Sequence, residues 1–170
     1  MQSEQSNAVR LVLDTNTVVS ALIYSGPVTQ LVKLATTGSI AVTLVSSVLL
    51  LAELRRVISK RKFSKKFAEI GRTADDILAE YERMSTLVLP TPIPPTVLHD
   101  PPDDVVLATA FACRAHLLVS GDADLLRLGR FRCVPIVTAA AAISMLGGPP
   151  LRRRTRHRPP PKGGTPPPRL

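Results

Sequence analysis

Apolar residues recur along the chain in two alternating rhythms. Residues 9–13 form a short apolar run, broken by Arg10 and ended by Asp14, and read as a strand. Helical spacing follows from Thr15 to about residue 24. Gly26-Pro27 punctuates, and a proline in a first turn opens a second helix that runs to about Thr37 and stops at Gly38. Residues 40–45 are β-branched and apolar, a second strand, and Ser46 or Ser47 can cap a helix over residues 48–59. A basic stretch, residues 60–66, leads into one or two helices ending near Met84, and residues 87–89 form a short third strand.

Four prolines between Pro90 and Pro95 forbid regular structure there. Pro101-Pro102 precede a helix from Asp103 to about Arg114. Residues 116–119 are a fourth strand, followed by Ser-Gly-Asp and a helical turn through Leu128. Residues 134–137 are a fifth strand, and residues 138–146 a last helix. Strands alternating with helices imply an α/β fold with a parallel sheet covered on both faces.

Composition alters this picture mainly at the end of the chain. With no Trp, four Phe and two Tyr in 170 residues, the core must be aliphatic. The formal net charge of +9 is unevenly spread: seven Lys/Arg and no acid follow Leu151, leaving fifteen basic and thirteen acidic residues before it. The expected organisation is a polar extension over residues 1–7, one folded domain over 8–148, and a disordered Arg/Pro-rich tail over 149–170. Cys113 and Cys133 lack the spacing of a zinc site and read as buried, reduced thiols. No signal-peptide core or membrane-spanning run is present, so a cytoplasmic location is expected and no membrane partner.

Candidate chemistry lies in the acids. Ligands of open α/β sheets bind beyond the C-terminal ends of the strands, and four acidic places are expected there. Asp14 ends the first strand, where it reads equally as a helix N-cap. Glu53 flanks the buried stripe of its helix, with pairing to Arg56 in solvent as its plainer explanation. Asp103 and Asp104 open a helix, where acids suit the helix dipole, but Asp103 shares a face with Leu107 and Ala110. Asp100 is a plausible cap or outer neighbour. Asp122 and Asp124 follow the fourth strand, in turn chemistry. Carboxylates brought together repel, and a bound cation removes the conflict. Oxygen donors without His or Cys suit Mg²⁺ or Mn²⁺. No serine has a plausible His partner, and no G-x-S-x-G elbow occurs.

The segments LVLDTNTVVSAL, SSVLLLAELRRV, DPPDDVVLATAFACRAHLLVSGDADLL and PIVTAAAAISML, over about residues 8–147, resemble the PIN domain. They resemble in particular its VapC-like branch, the toxins of bacterial toxin–antitoxin systems. The resemblance implies a five-stranded parallel sheet flanked by helices and a Mg²⁺- or Mn²⁺-dependent endoribonuclease. It implies Asp14, Glu53, Asp103 and Asp122 as the catalytic acids, with Asp104 and Asp124 as adjacent metal ligands. Asn16 matches a residue that braces the first acid, and Ser120 a small hydroxyl near the site. Pro102 stands where the branch often has a further acid. A cognate antitoxin and a homodimer are the partners implied.

RNA phosphates have a separate candidate in Lys60, Arg61, Lys62, Lys65 and Lys66, which read equally as a solvated surface. Tail residues Arg152, Arg153, Arg154, Arg156 and Arg158 can concentrate RNA nonspecifically, or be inert. So few aromatics leave base stacking no major part in recognition. Two enzymatic alternatives compete. A haloacid-dehalogenase-like phosphatase needs D-x-D, but Asn16 replaces its second acid. A response-regulator receiver needs an Asp after the third strand and a Lys after the fifth, where Pro90 and Thr138 stand. A catalytically silent module binding RNA or a protein is the non-enzyme alternative. The composition of the tail carries one prediction: deleting residues 150–170 leaves the thermal unfolding midpoint nearly unchanged, whereas a large drop would show that the tail packs.

Overall fold

Strand β1 (Val9–Leu13) sends alternate side chains to opposite faces, and both faces are covered. Leu11 and Leu13 enter one apolar cluster, Val12 the other, all essentially inaccessible. The same division runs through β2 (Val42–Ser46), where Leu44 and Val45 part, and β4 (Leu117–Val119), where Leu118 leaves its two neighbours. Burial on both sides explains why these strands read as unbroken apolar runs. In the computed structural model, residues 8–24, 26–37, 41–97 and 101–147 are described. Gly38, Asp100, the N-terminal extension and the Arg/Pro tail lie outside them.

The remaining strands are β3 (Ser85–Leu87), β5 (Arg130–Phe131) and β6 (Val134–Val137). The sheet order is β3-β2-β1-β4-β6-β5. The expected five parallel strands are present in the order 3-2-1-4-6, with β3 displaced two residues toward the N-terminus. A sixth strand corrects the expected count: β5 pairs antiparallel with β6 at one edge. Two residues long, it gives no periodicity to read.

One face packs against α1 (Thr15–Ile23), α2 (Pro27–Thr36), α3 (Val48–Ile58), α4 (Arg61–Glu69), α5 (Ala74–Met84) and α8 (Ala139–Met145). The other packs against α6 (Pro101–Ala112) and α7 (Ala123–Leu128), with Leu50 of α3 joining them. The basic stretch is thus mostly helix α4, and α6 begins at Pro101, two residues before the expected start. Among the described residues, no single helix is long and apolar enough to cross a membrane.

Helix starts follow short polar side chains. Asp14, Ser47, Thr73, Asp122 and Thr138 each accept a backbone N–H of the helix they precede. Four of these stand just past the C-terminal ends of β1, β2, β4 and β6, so capping puts polar groups along one sheet edge. Arg10, which interrupts the first apolar run, acts at the opposite edge. Its Nε donates to the Cys113 carbonyl at 2.8 Å and its Nη2 to the Arg114 carbonyl at 3.0 Å, holding the segment after α6. Both cysteines are free; Cys113 is half-buried, but Cys133 is exposed, contrary to the expectation of two buried thiols. Leu118 is fully buried in a central strand. Leu118→Ala is expected to cost about 2–5 kcal/mol, read from urea denaturation midpoints.

Candidate active site

At the switch point, β1 lies between β2 and β4, and the chain leaves these strands in opposite directions. Asp14 stands there, 4% exposed. A buried carboxylate must have its lost hydration replaced. Oδ1 accepts the Thr17 backbone N–H at 2.6 Å, and Oδ2 accepts the Ser120 hydroxyl. The positive end of α1 adds to these. Ser120, itself buried, also accepts the Asp122 backbone N–H at 2.9 Å. One hydroxyl therefore ties the turn after β4 to the acid after β1.

A cleft of about 210 Å³ opens beside Asp14, and Glu53, Asp103 and Asp122 line it too. Four carboxylates from separate stretches thus share one space. Asp103 reaches it because α6 turns that side inward: Leu107 and Ala110, on the same stripe, are buried against the sheet, and Asp103 Oδ2 is buried as well. Asp122 caps α7 through Oδ1, which accepts the backbone N–H groups of Asp124 and Leu125. It reads both as a cap and as a wall of the cleft.

Asp104 and Asp124 are not brought into this cleft. One residue further round α6, Asp104 accepts the Thr96 and Val97 backbone N–H groups and so pins the proline-rich segment. Asp124 pairs with Arg127 at 2.6 Å. Asn16 is exposed at the rim, and the bracing of Asp14 falls to Thr17 and Ser120.

Glu53 carries a feature of its own. Arg56 donates through Nε to Oε2 at 2.8 Å and through Nη2 to Oε1 at 2.7 Å. This fork holds the Glu53 carboxyl below the usual carboxylate range against a smaller opposing effect of burial, and the charge of Lys60 adds to the lowering. Pairing with Arg56 and lining the cleft are compatible, so both explanations of Glu53 describe its place.

Of the basic run, Lys60 and Lys62 line the cleft along with Arg56. Arg61 and Lys65 are exposed outside its lining, and Lys66 pairs with Glu69. A second groove of about 460 Å³ shares Asn16 and Asp122 with the cleft and continues past Ser20, Ser120 and Thr138. Its other lining residues are uncharged, so one flank of the acids is basic and the other neutral.

Sequence reasoning missed a cross-brace beneath the site. Ser47 Oγ and Thr109 Oγ1, both buried, lie 3.1 Å apart and link α3, which carries Glu53, to α6, which carries Asp103. A hydroxyl at Thr109, amid the apolar residues of α6, was the available signal.

The acids offer only oxygen, as a hard divalent cation requires. Among the described residues, no group of three or more His, Cys, Asp or Glu side chains stands close enough to hold a metal ion. The donor chemistry fits such an ion, while the side chains share the cleft without converging on one point.

The chain matches the sequence model of the PIN domain over residues 10–124, and it belongs to that family. PIN domains are in general nucleases and generally use divalent metal ions. Among solved structures, the fold is similar to a chain in the crystal structure of VapBC2 from Rickettsia felis bound to a DNA fragment from their promoter. The TM-score is 0.51 at 16% identity, covering 75% of this chain and 97% of that one. No curated protein matches the sequence. Membership of this family removes the phosphatase and receiver alternatives.

Ser120→Ala leaves Oδ2 of the buried Asp14 without its hydroxyl donor. The expected loss is about 1–3 kcal/mol of stability, measured by urea denaturation; a change under ~0.5 kcal/mol would show that the bond contributes little.

Proposed function

We propose that this PIN domain is a Mg²⁺- or Mn²⁺-dependent endoribonuclease and the toxin of a toxin–antitoxin pair. The observation that carries the nuclease reading is the shared cleft of Asp14, Glu53, Asp103 and Asp122 at the C-terminal edge of the sheet. Asp14, Asp103 and Asp122 would hold the cation, with Glu53 joining them when its bonds to Arg56 open. A divalent cation there supplies an activated water and stabilises the leaving oxygen of a phosphodiester.

The chain's own residues do the rest. Thr17 and Ser120 fix Asp14 before substrate arrives, so no reorganisation of that acid is needed. Lys60 and Lys62 attract the phosphate backbone on one flank. The neutral groove past Asn16 and Thr138 has room for an adjoining nucleotide on the other. The reaction needs no nucleophile from the protein.

The toxin reading takes its support from the resemblance to the VapC-like branch and from the structurally similar chain in the VapBC2 complex. An antitoxin for this chain would cover the acidic cleft, and a cationic side chain from it would suit that surface. A homodimer is proposed on the same footing. RNA rather than another polymer as substrate rests on the branch resemblance and on the basic flank.

RNA cleavage by purified protein with Mg²⁺, with Mn²⁺ or with EDTA tests the nuclease reading. Cleavage is expected with either metal and absent with EDTA. Asp14→Asn and Asp103→Asn are each expected to lower it at least ~100-fold, more than the loss of a residue that only orients a metal ligand usually costs, while the thermal transition stays cooperative. Full cleavage by rigorously purified Asp14→Asn protein would refute the assignment. A folded wild-type protein that binds RNA but never cleaves it would favour the silent module.

A further inference from the structure

Arg56 occupies both oxygens of a cleft carboxylate. Its Nε and Nη2 meet Glu53 Oε2 and Oε1 at 2.8 and 2.7 Å, a planar fork on a planar acceptor. The two residues are one turn apart on α3, and both line the cleft with Asp14, Asp103 and Asp122. In this geometry each Glu53 oxygen already accepts a charge-assisted hydrogen bond. A cation ligated through Glu53 would sit beside the guanidinium, so two positive charges would compete for one carboxylate.

The pair is partly open to water. The Arg56 side chain is 61% exposed and that of Glu53 22%, so water can replace the fork at modest cost. A guanidinium carries one positive charge, and a divalent cation at the same carboxylate brings two together with the attraction of the remaining acids.

We propose that Arg56 is an internal competitor of the divalent cation, neutralising Glu53 while the cation is absent and giving way when it binds. This rests on the metal-dependent reading given above. The cation-free cleft is thereby spared part of the repulsion among its four acids. Metal affinity is set partly by a residue that never touches the metal.

Mn²⁺ binding to the full chain, followed by titration calorimetry and by the paramagnetic resonance signal of free Mn²⁺, tests this without turnover. Arg56→Met removes the fork and keeps the stem. Lys62→Met removes a positive charge from the lining of the same cleft that is not bonded to Glu53. Arg56→Met is expected to bind Mn²⁺ about five- to tenfold more tightly than wild type, and Lys62→Met less than about twofold more tightly. Unchanged or weaker binding by Arg56→Met overturns the competition and leaves the metal site standing. So does an equal gain in both variants, which would be a general charge effect. No Mn²⁺ binding in any of the three proteins overturns both the competition and the metal-dependent reading.

Discussion

Everything at the active edge is arranged around one desolvated carboxylate. Asp14 ends a central strand of the parallel sheet with little of its surface open to water, and it must be held by fixed donors. One donor comes from the next helix and one from the turn after β4, so the acid joins two strands that are distant in sequence. The same bonds that make its burial tolerable fix where its oxygens stand. Folding and positioning of the first acid are one event.

The other acids are held by different means. Asp103 is placed by the rotation of α6, Asp122 by capping α7, and Glu53 by its fork with Arg56. Basic groups share the cleft with the acids, so the charge of the acids is partly offset within the cleft itself. A purely negative cleft would repel any polyanion wherever its charges were not matched by cations.

The sheet was legible because both its faces are buried, which writes strands as apolar runs and breaks them with caps. Asp14 and Asp122 were legible for the same reason, as caps that fall after strand ends, whereas Glu53 and Asp103 lie inside helices. What sequence did not resolve turns on rotation and on very short elements. Asp103 and Asp104 are adjacent, and only the observed orientation of α6 sends one to the cleft and the other to the backbone of Thr96 and Val97. Asp124 sits two residues from Asp122 but is taken by Arg127. Strand β5 is too short to show a period, and the Ser47–Thr109 link joins residues 62 apart, which no local pattern reports. Arg56 was readable as a partner for Glu53 by spacing, but its place in the cleft was not.

The two borders of the sheet have a bearing on how copies of the molecule meet. On one side β3 is three residues long, and prolines begin at Pro90, three positions beyond its end. On the other, β5 is two residues long and charged, with Arg130 in it and Arg132 after it, the latter at a positive φ of 51° and stacked 4.0 Å from the Phe111 ring. Among the described residues, neither border offers a length of open backbone on which a foreign strand can zip. In a protein this rich in Val and Leu, both ends of the sheet are thus poor templates for edge-to-edge pairing between copies.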